Sequence, residues 1–407
     1  MVRRSFRYFP ILFSTSLFLF LGIGVAFAVE LNVKDYGAVG DGVTDDRRAI
    51  QSALDAIPYT SGGKIYLPPG IYKVNAPINI RKSNISFIGA GTTETTLLAD
   101  GLSQTLVVQP IKKEVSNILI KNIRFTNPAT PIYGIGHGRG TVQLDAYTKA
   151  ISGVTIKNIF IDDTPLVGIV VGADQVSILN NVIHDTGQHG IYLSVANDVK
   201  IEGNEISKVG VINHELTNQS GIKVKISNNV IIQNNRLSQF HANSFGILAG
   251  RSSNFVSILN NKITLSDSNQ VGLRLHSKSV SKDNIIDGGK GYSGTYAVDI
   301  KEGAGALISD TQIIGSWIAS PVVIRSAAID TKFNNIIIQN GSPNGWQFKL
   351  NSSTRPIVQW SNILSGGYGI DLGRSVGAKI LNNSIKVDKS KYSNGLASDF
   401  TIVDGNN

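Results

Sequence analysis

Basic and aromatic side chains recur at alternate positions in a series of short segments, and their types suit proton abstraction. The segments are Gln188-His189-Gly190-Ile191-Tyr192, Lys223-Val224-Lys225, Arg274-Leu275-His276 and Asp299-Ile300-Lys301. Lys and Arg offset the charge of a carboxylate, and Arg can grip one through two parallel bonds. Lys, His or Tyr removes a proton beside that carboxylate when burial or a neighbouring charge lowers its pKa. Carboxylates for a second kind of chemistry are also present. Asp163 and Asp185 lie 22 residues apart and each precedes a Thr. A pair of carboxylates can hydrolyse a glycosidic bond, bind Ca²⁺ through oxygen ligands, or simply cap turns.

The elements that must position these groups are short repeated strands. Ile169, Ile191, Ile222, Ile247 and Leu273 recur at spacings of 22, 31, 25 and 26, most of them just after a Gly. A second ladder runs in phase: Val154-Thr-Ile, Val176-Ser-Ile-Leu-Asn-Asn, Val199-Lys-Ile, Val230-Ile-Ile-Gln-Asn-Asn and Val256-Ser-Ile-Leu-Asn-Asn, repeated as Ala378-Lys-Ile-Leu-Asn-Asn. Alternation with period 2 marks strands. The Asn residues suit tight corners because Asn tolerates left-handed backbone. No helical period intervenes. Repeats of 20 to 30 residues with no room for crossover helices predict an all-β, single-stranded parallel β-helix.

Successive side chains of a strand point to opposite faces. With Ile191 and Leu193 inward, one outward column holds Gln143, Val170, Tyr192, Lys223, Leu248, Arg274 and Asp299. The next holds Asp145, Gly172, Ser194, Lys225, Gly250, His276 and Lys301. Coils stack about 4.8 Å apart, so Lys223, Lys225, Arg274 and His276 share one face within roughly 10 Å. Gly172, Ser194 and Gly250 leave room for a chain to lie across it. The expected site is an anionic-sugar groove. His189, Tyr192, Lys223 and Lys225 are the candidate bases and Arg274 the carboxylate holder. His276, His241, Arg251, Asp299 and Lys301 are candidate substrate contacts. His214 and Glu215, in the long insertion near residues 208–219, are further candidates for the groove wall. From Gly303 onward the basic cluster is expected to fade. Trp317, Trp346 and Trp360 all lie in that distal half and are expected mainly in the core.

The amino-terminal stretch Leu31-Asn-Val-Lys-Asp-Tyr-Gly-Ala-Val-Gly-Asp-Gly-Val-Thr-Asp-Asp46 is followed by Gly62-Gly-Lys-Ile-Tyr-Leu-Pro-Pro-Gly-Ile-Tyr72. Thr44 is expected to cap a helix with Asp45 and Asp46 in its first turn. Ile50, Ala53, Leu54 and Ile57 would form its apolar face and Pro58 its stop. Such a helix would close the open end of a solenoid. The two motifs together resemble the start of the pectate lyase-like superfamily. That superfamily includes polygalacturonase- and rhamnogalacturonase-type hydrolases, uronan lyases, epimerases and phage tailspikes. The resemblance implies a right-handed helix and a polysaccharide substrate. It is strong over 31–74 and looser to about residue 385.

Two shorter matches bear on chemistry. Gln188-His-Gly-Ile191 resembles the Gly-His-Gly-Ile segment of polygalacturonase-like hydrolases, and Lys223-Val-Lys225 falls where they carry Arg-Ile-Lys. The resemblance implies substrate-carboxylate and subsite roles for His189, Lys223 and Lys225. Those hydrolases also carry a carboxylate pair before the preceding strand, where this chain has Leu166 and Val167. A site rich in bases and short of paired acids suits β-elimination better. C5-epimerisation uses the same proton abstraction. The Asp-Pro-His signature associated with alginate epimerases is absent, which sets that reaction aside here.

Composition bounds the rest. The 407 residues include no Cys, so disulfides and thiolate metal sites are excluded. The net charge is +9, of which Arg3, Arg4 and Arg7 contribute three, leaving about +6 on residues 29–407. No Lys/Arg run points to nucleic acid. The Arg residues, the apolar run Ile11–Val25 and Ala26-Phe-Ala28 read as a signal peptide over 1–28. The expected location is therefore periplasmic or secreted, with no membrane contact by the mature form. Residues 29–100 would form the cap and first coils, and 101–407 the remaining repeats and a polar C-terminal cap. The leading expectation is a polysaccharide lyase for a uronate-containing glycan. A hydrolase using Asp163 and Asp185 stands second, and a non-catalytic glycan-binding or cell-surface β-helix third. No cofactor is required, although Ca²⁺ can be accommodated.

Overall fold

The computed structural model describes residues 29–404, apart from 102–103, 112, 129–138, 146–149, 211–218, 277 and 396. Residues 1–28, expected to be a signal peptide, therefore lie outside the described residues, as do His214 and Glu215.

The chain winds into a parallel β-solenoid of about thirteen turns. Every named strand pairing is parallel, each strand pairing with its counterpart one coil away. One face is a sheet of thirteen strands; the other two faces contribute twenty-eight more. The expected register holds along the thirteen-stranded face. Ile169 pairs with Ile191, then Ile222, Ile247, Leu273 and Val298. All six are fully buried. A slip of one residue would turn this whole aliphatic column into water, which is what fixes the register.

Two devices let the chain turn corners around so narrow a core. In the Asn-Asn pairs that end the Val-x-Ile ladder, the first residue takes left-handed backbone, as at Asn180 (φ 53°), Asn234 (φ 57°) and Asn260 (φ 51°). The second points inward. Asn181, Asn204, Asn235, Asn261 and Asn284 form a buried ladder. Each of the first four donates its backbone N–H and its side-chain amide to the Oδ1 of the next, at 2.9–3.1 Å. Each also donates to a carbonyl of the wall, as Asn235 does to Ile201 at 3.0 Å. Buried amides are thereby satisfied, as the desolvation cost demands. At the opposite corner, Gly168, Gly190, Gly221, Gly246 and Gly272 precede the aliphatic column. A Cβ on Gly221 would stand 2.8 Å from the Gly246 carbonyl and 2.7 Å from Leu237, and the other four are as tight.

The amino-terminal helix spans Arg47–Ala56 and buries Ile50, Ala53 and Leu54 over the first coil. Its start differs from expectation. Thr44 does not cap it; the Thr44 hydroxyl donates to Asp41. Asp46 takes the N-cap position without a side-chain cap bond, because its carboxylate instead accepts Val39 N–H at 2.6 Å and Gly40 N–H at 2.9 Å. The acids therefore close the preceding loop. Residues 386–394 are also more than a polar cap. Tyr392 and Ser393 pair with Ile370 and Asp371, and Thr401–Asp404 adds another strand to the solenoid. Of the tryptophans, Trp317 is buried as expected, whereas Trp360 is 57% exposed and Trp346 only partly covered.

Candidate active site

The outward column forms as the alternation requires. Tyr192 pairs with Lys223, Lys223 with Leu248, Leu248 with Arg274 and Arg274 with Asp299. Ser194 pairs with Lys225 in the adjacent column. The candidates then divide into two groups.

The first group is His189, Tyr192, Lys223 and Lys225. His189 precedes its strand and is 6% exposed. Its Nδ1 accepts the backbone N–H of Ser220, one coil on, at 2.9 Å. A neutral imidazole held that way carries its proton on Nε2. His189 Nε2 lies 3.3 Å from Lys223 Nζ. The His189 ring also lies 5.4 Å from that of Tyr192, and Lys223 Nζ stands 5.6 Å from the Tyr192 ring centre. Burial holds Lys223 below the ordinary lysine pKa, and the positive charge of Lys225 pushes the same way. Lys225 itself is exposed at the strand end.

The second group centres on Asp299, which is fully buried although it belongs to the outward column. Arg274 donates to its carboxylate through Nε at 2.9 Å and through Nη2. Arg325 Nε stands 3.2 Å from its other oxygen. The Arg274 guanidinium packs on Phe245, 4.3 Å from the ring centre, and that of Arg325 on Tyr296 at 4.5 Å. Arg274 is thus held by an internal carboxylate, and the pair of Arg with one Asp leaves a single net positive charge. The basic cluster also reaches one coil further than expected, since Arg325 pairs with Lys301. His276 follows Arg274. Burial lowers its pKa first, with Arg274 and Arg251 adding to the effect. Arg251 is exposed and forms an ion pair with Glu302 at 2.6 Å.

The remaining candidates stand off this face. Asp163 and Asp185 occupy equivalent corners in consecutive coils, with φ of 47° and 53°. The Asp185 carbonyl accepts from Thr164 N–H at 3.0 Å. Lys208 and Gln239 follow at the same corner with left-handed backbone too. These are turn positions. Leu166 and Val167 are both buried. His241 lies at the corner leading into the thirteen-stranded face, in the loop before Phe245, its backbone N–H donating to the Val209 carbonyl at 3.0 Å. Among the described residues no group of three or more His, Asp or Glu side chains is placed to hold a metal ion. Sequence reasoning missed Ser220, Phe245, Tyr296 and Arg325. Their signal was positional: each lies on a neighbouring rung of the same face.

A parallel β-helix bearing a clustered basic face defines the class. The chain matches the family described as rhamnogalacturonase A/epimerase, pectate lyase-like, over residues 31–274. It belongs to that family. Mannuronan C5-epimerase AlgE4 of Azotobacter vinelandii is 30% identical over 188 residues, covering 43% of this chain and 34% of that protein. Alginate lyase 7 of the same organism is 47% identical over 85 residues, 19% of this chain and 10% of that protein. The chain thus matches about a third or less of either relative. The solved AlgE4 A-module superposes with a TM-score of 0.67 at 20% identity, covering 91% of this chain and 99% of the module. PfbA, a surface adhesin of Streptococcus pneumoniae, superposes with a TM-score of 0.58 at 18% identity, covering 90% and 92%. Both likenesses are of fold, a right-handed parallel β-helix.

Proposed function

We propose that the chain is an exported enzyme that removes the proton beside the carboxylate of a uronate residue in an acidic polysaccharide, with Lys223 as the base. The observation that carries this is the Ser220–His189–Lys223 relay. With Nδ1 occupied by Ser220 N–H, the Nε2–H of His189 points at Lys223 and needs a lone pair there. Only the neutral amine has one, and the neutral amine is the form that accepts a proton. Lys225 offsets the substrate carboxylate as negative charge builds on it.

Lys223 Nζ takes the C5 proton, the C5 electrons form the C4–C5 double bond, and the C4–O bond breaks. Tyr192, next to Lys223 in the ladder, supplies the proton to the departing oxygen. Elimination of this kind makes the chain a polysaccharide lyase. The second reading is C5-epimerisation, in which the same carbanion is reprotonated from the opposite side and no bond breaks. The absence of an Asp-Pro-His signature sets that reaction aside on sequence grounds, but the identity with C5-epimerases brings it back. Hydrolysis by Asp163 and Asp185 is less well supported, because those residues sit at turn corners.

Export is part of the proposal and rests on the sequence of residues 1–28. Polymannuronate and polygalacturonate, each with and without Ca²⁺, would be followed by ultraviolet absorbance, reducing ends and solvent deuterium at C5. Absorbance with reducing ends marks the lyase. Deuterium without new ends marks the epimerase. Reducing ends alone would replace both with a hydrolase, and no change on any polymer would leave glycan binding as the activity.

A further inference from the structure

Away from the basic cluster, the same face carries a second set of groups that the proposed chemistry does not use. Trp346 and Tyr368 begin consecutive strands and are register partners. Their rings lie 4.8 Å apart at 32° and both are partly exposed. Lys389 Nζ stands 4.8 Å from the Tyr368 ring centre, and Lys389 itself is exposed. Lys349 pairs with Asp371 in the outward column beside them.

The pair is held in advance of any ligand. Gln347 is fully buried and donates to the carbonyls of Ser342 at 2.9 Å and Gly345 at 3.1 Å, while its Oε1 accepts Ser342 N–H at 3.0 Å. These bonds close the loop that delivers Trp346. The backbone N–H of Lys389 is fixed on the Gly367 carbonyl at 2.8 Å. Pro343 of that loop and Asp388 also line a groove of about 530 Å³, whose walls include Lys290 and Asn340.

We propose that Trp346 and Tyr368, with Lys389, form a second glycan-binding site for a pyranose ring of the same acidic polymer. The C–H face of a pyranose packs on aromatic faces by dispersion. The neighbouring ammonium meets a carboxylate or hydroxyl at its rim. Lys223 and Lys349 are separated by five rungs of the outward column. At about 4.8 Å per rung, that places the platform roughly 24 Å from the base. The polymer therefore runs along the solenoid axis, and the platform raises the effective concentration of chain at the base. A loss of binding here would spare short oligomers that reach only Lys223.

This inference rests on the acidic-polysaccharide reading above, and its test separates the two. The full chain carrying Lys223→Met, so that polymer stays intact, is run by affinity electrophoresis through gels containing polymannuronate, polygalacturonate or neutral dextran. Retardation by at least one uronan and not by dextran is expected. Adding Trp346→Ala should weaken association about tenfold, the size of one aromatic stacking contact, while Trp346→Phe restores part of it. Lys389→Glu, an exposed change that leaves both rings in place, should weaken it about threefold at low salt. Retention of Trp346→Ala and Lys389→Glu equal to the parent overturns the platform, as does absence of retardation in every uronan gel. Failure of the catalytic proposal is seen elsewhere: wild-type chain retarded in the gel but giving neither unsaturated product nor deuterium exchange.

Discussion

His189 Nε2 lies 3.3 Å from Lys223 Nζ, and the other nitrogen of the same imidazole is taken by the backbone of Ser220. The contact joins a residue before one strand to a residue inside the next, 34 positions away. It binds the ionisation of the amine to the tautomer of the ring. A protonated Lys223 would face an N–H donor with an N–H donor, so the arrangement favours the base form.

The first prediction concerns that amine. Lys223→Met should lower turnover by about 10²–10⁴, the usual contribution of a positioned base, with a smaller change in KM. Lys223→Arg keeps the positive charge but cannot lose its proton, so it should be as inactive as the Met variant. Steady-state kinetics on the responsive uronan checks both. An Arg variant with near-normal turnover would mean that position 223 acts through charge alone.

The pH profile supplies the second. The base works unprotonated, so kcat/KM rises with pH through the Lys223 pKa of the free enzyme. Burial first, and Lys225 second, hold that pKa below the ordinary value of 10.5. Removing the charge at 225 removes one of the two causes. Lys225→Met should therefore move the acidic limb of kcat/KM to higher pH, besides lowering kcat/KM itself through loss of the carboxylate partner. A limb that stays in place, or moves to lower pH, would assign the titration to another group.

How much of this was legible beforehand follows from what periodicity can carry. Inward Ile191 and Leu193 dictate outward Tyr192, and the same parity places Lys223, Arg274 and Asp299, so the columns were readable to the residue. Contacts that depend on how a loop turns were not. His189 precedes its strand, and only the fold shows its ring turned onto the Ser220 N–H. Asp299 reads from sequence as a substrate contact, because parity says outward without saying that Arg274 and Arg325 then cover it. Asp46 looked like a first-turn helix residue because its pull toward Val39 and Gly40 is a loop contact with no period. Trp360, in left-handed backbone at a corner, projects outward where an apolar strand suggested core.

The Asn-Asn corners give the third prediction, since adjacent residues of the same type do different jobs. Asn235 is buried and exchanges bonds with Asn204, Asn261 and the Ile201 carbonyl. Asn235→Ala should cost about 2–3 kcal/mol by leaving those groups unpaired inside the coil. Asn234 is a corner residue with φ 57°. Asn234→Ala should cost about 1 kcal/mol through backbone strain and the loss of its exposed bonds to Asn260 and Glu202, and Asn234→Gly, which keeps only the second cost, less. Urea unfolding midpoints of the three variants should rank Gly above Ala at 234, and both above Ala at 235.

The fourth prediction separates a held carboxylate from a surface one. Asp299 is fully buried between Arg274 and Arg325. Asp299→Asn keeps the shape but leaves two guanidinium groups facing each other without a counter-charge. Breaking a buried pair from one side costs about 3–5 kcal/mol, and Arg325, being 40% exposed, draws the expectation to about 3. Arg325→Ala leaves Arg274 and Asp299 paired and should cost about 1 kcal/mol or less. Unfolding midpoints decide the order. If Asp299→Asn unfolds at the wild-type midpoint, Asp299 does not hold the two arginines, and Arg274 becomes available as the substrate-carboxylate ligand.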